Sequence, residues 1–82
     1  MYSIIIPIYN EAPNISSLIE DLKIYKDEGN EVIIVDDGSN DGSSAILSNY
    51  NKIKVIRLDR NQGKGCAIRI GLSEAKNHKI VI

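Results

Sequence analysis

Four short apolar runs punctuate the chain, at Ser3 to Ile8, Glu31 to Val35, Ile53 to Leu58 and Lys79 to Ile82. They are rich in Ile and Val and nearly continuous rather than alternating, the pattern of parallel strands buried on both faces. Between the first two, Ile15, Leu18, Ile19 and Leu22 recur at helical spacing, with Pro13 near the start and Gly29 past the end, which predicts an amphipathic helix. A second helix is expected from Gly42 to Tyr50, with Asp41 as its N-cap and Ala45, Ile46 and Tyr50 as its buried face. A third, from Gly63 to Lys76, carries Ala67, Gly71 and Ala75 four apart beside Ile68 and Leu72, a narrow surface that lets a helix lie close to a sheet. The order β-α-β-α-β-α-β, with right-handed crossovers, predicts an α/β fold with a Rossmann-like open parallel sheet. Ligands of such sheets bind beyond the carboxyl ends of the strands.

Composition narrows the classes of function. The 82 residues allow one small domain, and 43% hydrophobic with 26% charged residues is ordinary for a folded chain. Ten basic and eleven acidic residues are mixed along the sequence for a net charge of -1, so charge argues against nucleic acid or an anionic membrane surface as partner. Any anionic ligand must be held locally. Cys66, the single cysteine, has no internal disulfide partner, no Cys/His cluster has zinc spacing, and a reducing compartment fits. Ile4-Ile5-Ile6 lacks a basic flank and is broken by Pro7, so it is neither a signal peptide nor a membrane span. The sequence stops at Ile82, in or just after the fourth strand. A strand left without its next neighbour exposes backbone groups, so the expectation is a fragment truncated there; dimerisation through the exposed sheet edge is the other way to cover it.

Chemistry concentrates at the strand ends. The first run leads into Pro7-Ile8-Tyr9-Asn10-Glu11, with Pro7 expected to terminate backbone pairing. The second leads into Val35-Asp36-Asp37-Gly38-Ser39, which puts two carboxylates where the fold rule places ligands, beside a glycine that permits a close turn. Acids after a strand also order turns and cap helices. That reading is taken for Ser39, for Asp41 and for Asp36, which would order the loop or pair with a cation such as Arg69. The Gly63-Lys64-Gly65 segment has neither Walker A spacing nor the dinucleotide fingerprint, whose third small residue is replaced by Ile68. Glycines before a helix still expose N–H groups to an anion, and Lys64 adds positive charge. Neither His78 nor Cys66 has an activating neighbour, and no complete catalytic constellation is present.

Taken in order, the Ile6 to Glu11 and Val35 to Ser39 segments, with Asn61-Gln62-Gly63-Lys64-Gly65 followed by Ala67, Arg69 and Gly71, resemble the N-terminal signatures of family 2 glycosyltransferases of GT-A fold. Dolichol-phosphate mannose synthase-like and bacterial undecaprenyl-phosphate sugar transferases are nearest in pattern, and the resemblance covers most of the chain. It implies a nucleotide site in which Asp37 accepts the ring N–H of uracil or guanine, a donor that cytosine lacks. Tyr9 would pack on the base or ribose, and Glu11 would accept from ribose hydroxyls or base edges. Pro7 and Val35 would line the pocket with backbone carbonyls, and Lys64 and Arg69 would meet the sugar diphosphate. The resemblance further implies Mg²⁺ or Mn²⁺ held by an Asp-x-Asp motif, and an acid serving as base, both after Ile82. No catalytic or metal-binding residue is therefore assigned within the chain. The full-length parent is expected to transfer a sugar from a UDP- or GDP-sugar to an acceptor hydroxyl or lipid phosphate with inversion, and the fragment alone to be inactive. Its active site is expected in the cytoplasm, with any membrane association made through missing segments.

Two other classes share parts of this pattern. A phosphorylation-signalling receiver domain also carries acids after a strand, but here a whole β-α unit precedes Asp36 and only Asp59 could accept the phosphoryl group. A non-catalytic nucleotide-binding or interaction module is the second.

Overall fold

In the computed structural model, which describes residues 1–50 and 53–82, the apolar runs become β1 (Tyr2–Ile8), β2 (Glu31–Asp36), β3 (Lys54–Arg57) and β4 (Lys79–Val81). They form one parallel sheet in the order β3-β2-β1-β4. The chain steps outward from β1 through β2 to β3, then returns across the sheet to place β4 on the far side of β1. The connectivity thus reverses at β1, and the crevice at such a reversal is where open α/β sheets take ligands.

Three helices connect the strands: α1 (Ile15–Asp27), entered through a 3₁₀ turn at Ala12–Asn14 that contains Pro13, then α2 (Ser43–Leu47) and α3 (Lys64–Glu74). Alternation along the strands sorts the core into two layers. Ile4 and Ile8 of β1, with Val32 and Ile34 of β2, pack against Ile15, Ile19 and Leu22 of α1 and Leu47 of α2. Ile5, Ile33 and Val35 face the other way, against Ala67 of α3 and Leu58. Burying each of the fully enclosed isoleucines contributes roughly 1.5–3 kcal/mol. The Ala67/Gly71 stripe brings α3 close to the sheet: a Cβ on Gly71 would lie 2.6 Å from Ile5 Cγ2. Among the described residues, no helix is long and apolar enough to cross a membrane.

Three expectations are corrected. Pro7 does not terminate pairing, because β1 runs through it in register with Val35 and on to Ile8, opposite Asp36. Ile8 O accepts Asp37 N–H from the β2 side, so by alternation the backbone of Pro7 faces the β4 side, where β4 pairs only Tyr2 to Ile4. The missing N–H of proline costs no ladder bond there. The second helix is shorter than Gly42 to Tyr50, and it buries Ser43 and Leu47 while Ala45 is exposed. In the third, Leu72 is 41% exposed, since the close approach at Gly71 leaves room for only a narrow stripe.

Candidate functional site

Three loops leave the carboxyl ends of β1, β2 and β3, and polar side chains join them. Asn10 adopts a left-handed conformation, with φ of 53°, and the N–H groups around it turn toward the β2–α2 loop. Asn10 N donates to Ser39 Oγ at 2.9 Å, Glu11 N to Ser43 Oγ at 3.2 Å and Ala12 N to Asp41 Oδ2 at 3.0 Å. In return, Asn40 N donates to Asn10 Oδ1 at 2.9 Å. Asp41 also takes Ser43 N at 3.0 Å and the Ser43 hydroxyl; the N-cap of α2 is Gly42 rather than the expected Asp41, which instead braces the turn before the helix and the neighbouring loop. The Ser43 hydroxyl is the main cause that holds the Asp41 carboxyl below its ordinary range; burial opposes it and the Ala12 N–H adds to it.

The acid pair is divided by the pleat, since successive side chains leave opposite faces of the sheet. Asp36 continues the Val32 and Ile34 side and is fully buried. Its Oδ1 accepts Ser39 N at 3.0 Å, and among the described residues its Oδ2 has no donor. Asp37 points to the α3 side and is 3% exposed. Its carboxylate accepts Gln62 N at 2.8 Å, Gly63 N at 3.0 Å and Asn61 Nδ2 at 3.2 Å. Gly38, at φ of +72°, lies flat between these loops: a Cβ there would stand 2.3 Å from Arg60 C and Asn61 N.

The residues singled out from sequence fall in different places. Tyr9 is 45% exposed at the end of β1, and Glu11 is half-buried beside it, its Oε2 accepting Asn14 Nδ2 at 2.9 Å. Pro7 is half-buried, whereas Val35 is wholly enclosed between β1 and β3 with its side chain in the α3 layer. Lys64 is exposed as the first residue of α3. Arg69 is exposed: two positions after buried Ala67, it leaves the side of α3 away from the sheet. The suggested pairing of Asp36 with Arg69 is absent, because they lie in different layers. Among the described residues the ion pairs are Lys23 with Glu20, at 2.9 Å, and Lys54 with Glu74, at 2.8 Å.

Sequence reasoning missed Ser43 and assigned no contact to Asn10 or Asn61, although both stand in the segments it singled out. The signal for Asn61 was a polar side chain just before a glycine that opens a helix. Among the described residues no three of His, Cys, Asp and Glu gather as a metal cage, and Asp59 has no acidic cluster around it. With Asp36 and Asp37 on opposite faces and Asp37 already supplied with donors, the acid pair does not fit a divalent cation.

The family model described as "Glycosyl transferase family 2" matches residues 3–82. Dolichyl-phosphate beta-glucosyltransferase of Mus musculus is 33% identical over 98% of this chain and 29% of its own length. The uncharacterised glycosyltransferase YkcC of Bacillus subtilis is 36% identical over 99% of this chain and 27% of its own. Among solved structures, S. aureus TarS superposes with a TM-score of 0.81 at 32% identity, covering 96% of this chain and 15% of that one. The mannosyltransferase PcManGT of Pyrobaculum calidifontis, solved with GDP-Man and Mn²⁺, gives 0.72 at 26% identity over 92% of this chain and 24% of its own. The chain thus spans less than a third of the length of the curated relatives it matches.

Proposed function

Because the chain belongs to glycosyl transferase family 2, we propose that it binds the nucleotide of a UDP- or GDP-sugar for a larger enzyme that transfers the sugar. What supports this reading is that Tyr9, Glu11 and Asp37 lie on the loops leaving the carboxyl ends of β1 and β2, beside the reversal of strand order. Tyr9 offers an open ring for stacking on the base or ribose. Glu11, its backbone tied to Ser43, keeps acceptor capacity for sugar hydroxyls. Asp37 takes the ring N–H of the base, a donor that uracil and guanine present and cytosine does not. The ladder carbonyls near Pro7 border the same crevice. Lys64, at the start of α3, meets the diphosphate.

In this reading the parent moves the sugar, with inversion, to an acceptor hydroxyl or lipid phosphate. Two groups of relatives are named for lipid-phosphate acceptors, the dolichyl-phosphate and undecaprenyl-phosphate transferases. A divalent cation would neutralise charge on the leaving diphosphate in the parent, but the residues present here do not form its site, and the chain alone has no transferase activity. The parent's active site would lie on the cytoplasmic side, with any membrane attachment supplied by other segments.

Isothermal titration of the chain with UDP, GDP and CDP tests the reading. UDP or GDP should bind at least about tenfold more tightly than CDP, since a site built around a buried acceptor penalises a base without the donor. Equal affinity for all three would remove the base-reading role of Asp37.

A further inference from the structure

The partners of the Asp37 carboxylate all belong to one loop. Oδ1 accepts Gln62 N, Oδ2 accepts Gly63 N and Asn61 Nδ2, and Asn61 Nδ2 also lies 3.3 Å from Asp37 O. Gly63, at φ 96° and ψ 152°, occupies a backbone region open essentially to glycine alone, and this turn both aims its N–H at Asp37 and starts α3 one residue later. The helix has no acid in its first turn and no side-chain cap of its own. What fixes its start comes from the loop that follows β2. The packing of Gly38 against Arg60 and Asn61 holds the two loops in the contact that makes these bonds possible.

We infer that Asp37 is a positioning residue: it clamps the Asn61–Gly63 loop and so sets where Lys64 and the first turn of α3 stand relative to the tips of β1 and β2. The inference rests on the nucleotide reading for its ligand and adds a coupling to it. A carboxylate offers about four lone-pair positions. Three are filled by the loop, which leaves one on Oδ1 for the ring N–H of a base. Base and diphosphate are then sensed through a single side chain, which contacts the first directly and the second through the loop that carries Lys64.

The test uses the 82-residue chain, with amide exchange beside titrations of uridine and UDP and of guanosine and GDP. Asp37→Asn sets an NH₂ group against the loop's donors, and Gly63→Ala disturbs the loop while leaving the carboxylate in place. In Asp37→Asn the Gln62 and Gly63 amides should exchange about tenfold faster, as buried charged acceptors protect strongly. Gly63→Ala should weaken the preferred nucleoside diphosphate about tenfold while leaving its nucleoside within about twofold, because the base contact is untouched. Asp37→Asn should weaken both. Unchanged exchange in Asp37→Asn, or wild-type diphosphate binding by Gly63→Ala, would overturn the inference. Should Gly63→Ala fail to fold, Asn61→Ala removes one donor without a backbone change and should give the same split in smaller degree. If the wild-type chain binds none of these ligands, the nucleotide reading fails while the exchange result still decides the role of Asp37 in the loop.

Discussion

The two ends of the β1–β2 pair use one device, a side-chain oxygen that accepts backbone N–H groups, and use it under different conditions. At the amino end, Glu31 Oε1 accepts Lys76 N at 2.8 Å and the Ser3 hydroxyl at 2.7 Å, and Ser3 Oγ accepts Asn77 N at 3.2 Å, which ties the approach to β4 onto the sheet. Burial works against the charge of Glu31, but the Lys76 N–H and the Ser3 hydroxyl outweigh it and hold the carboxyl below its ordinary range. At the carboxyl end the acceptors Asp36, Asp37, Ser39 and Ser43 are all buried, two of them carboxylates, and Asp36 Oδ2 has no donor among the described residues. A buried carboxylate oxygen without a partner is costly. The amino end closes the fold with its acceptors supplied. The carboxyl end leaves one buried oxygen, Asp36 Oδ2, without a donor among the described residues, and it is at this end that the proposed nucleotide site lies.

Gly38→Ala should break the carboxyl end most severely. The new Cβ meets the Arg60 and Asn61 backbone at 2.3 Å and forces alanine to a φ of +72°. A loss of about 2–4 kcal/mol is expected from the overpacking and the strained backbone, read by urea denaturation. Asp37→Ala comes next, at about 2 kcal/mol, because Gln62 and Gly63 lose a charged acceptor that water replaces only in part. Asp36→Asn sharpens the comparison by its sign. Asparagine keeps the acceptor for Ser39 N and removes an unpaired charge, so stability at neutral pH should hold within about 0.5 kcal/mol or rise. A large loss would mean that Asp36 Oδ2 has a partner after all.

How far the sequence carried this picture differs by element. Ile/Val-rich runs identified all four strands; the expected burial on both faces holds for β2 and most of β1, whereas the edge strands β3 and β4 leave Lys54, Arg57, Lys79 and Val81 exposed. The α1 stripe was equally plain. The length of α2 was not, since five residues hold too few turns to display a period, and Leu47 rather than Ala45 reaches the core. Pro7 misled because the effect of a proline depends on which way its missing N–H would point, and that is set by the register with β2 and β4. The acidic tips were legible as positions, but their division between faces and their loop partners were not. The local role of Asp36, which takes Ser39 N, was legible, but the Asp37 partners lie 24 to 26 residues away, and contacts of that separation leave no local pattern.

The smallest expected effect concerns acid. Both Asp41 and Glu31 have carboxyl groups held below their unfolded values. Their contribution is therefore present above the unfolded value of about 4 and is lost as pH falls through the lower folded value. Asp41→Asn and Glu31→Gln should each flatten slightly the loss of stability below that pH, as measured by denaturation at stepped pH. Both groups are largely solvated, so the two changes stay small.

The contrast between the two ends is tested most directly by an amide chemical-shift map of the chain during titration with UDP or GDP. The account predicts perturbation at Tyr9 to Glu11, Asp37 to Ser39 and Gln62 to Lys64, with Asn30, Glu31 and Asn77 unmoved. Perturbation centred on that second group, or none at the carboxyl tips with either nucleotide, would contradict it.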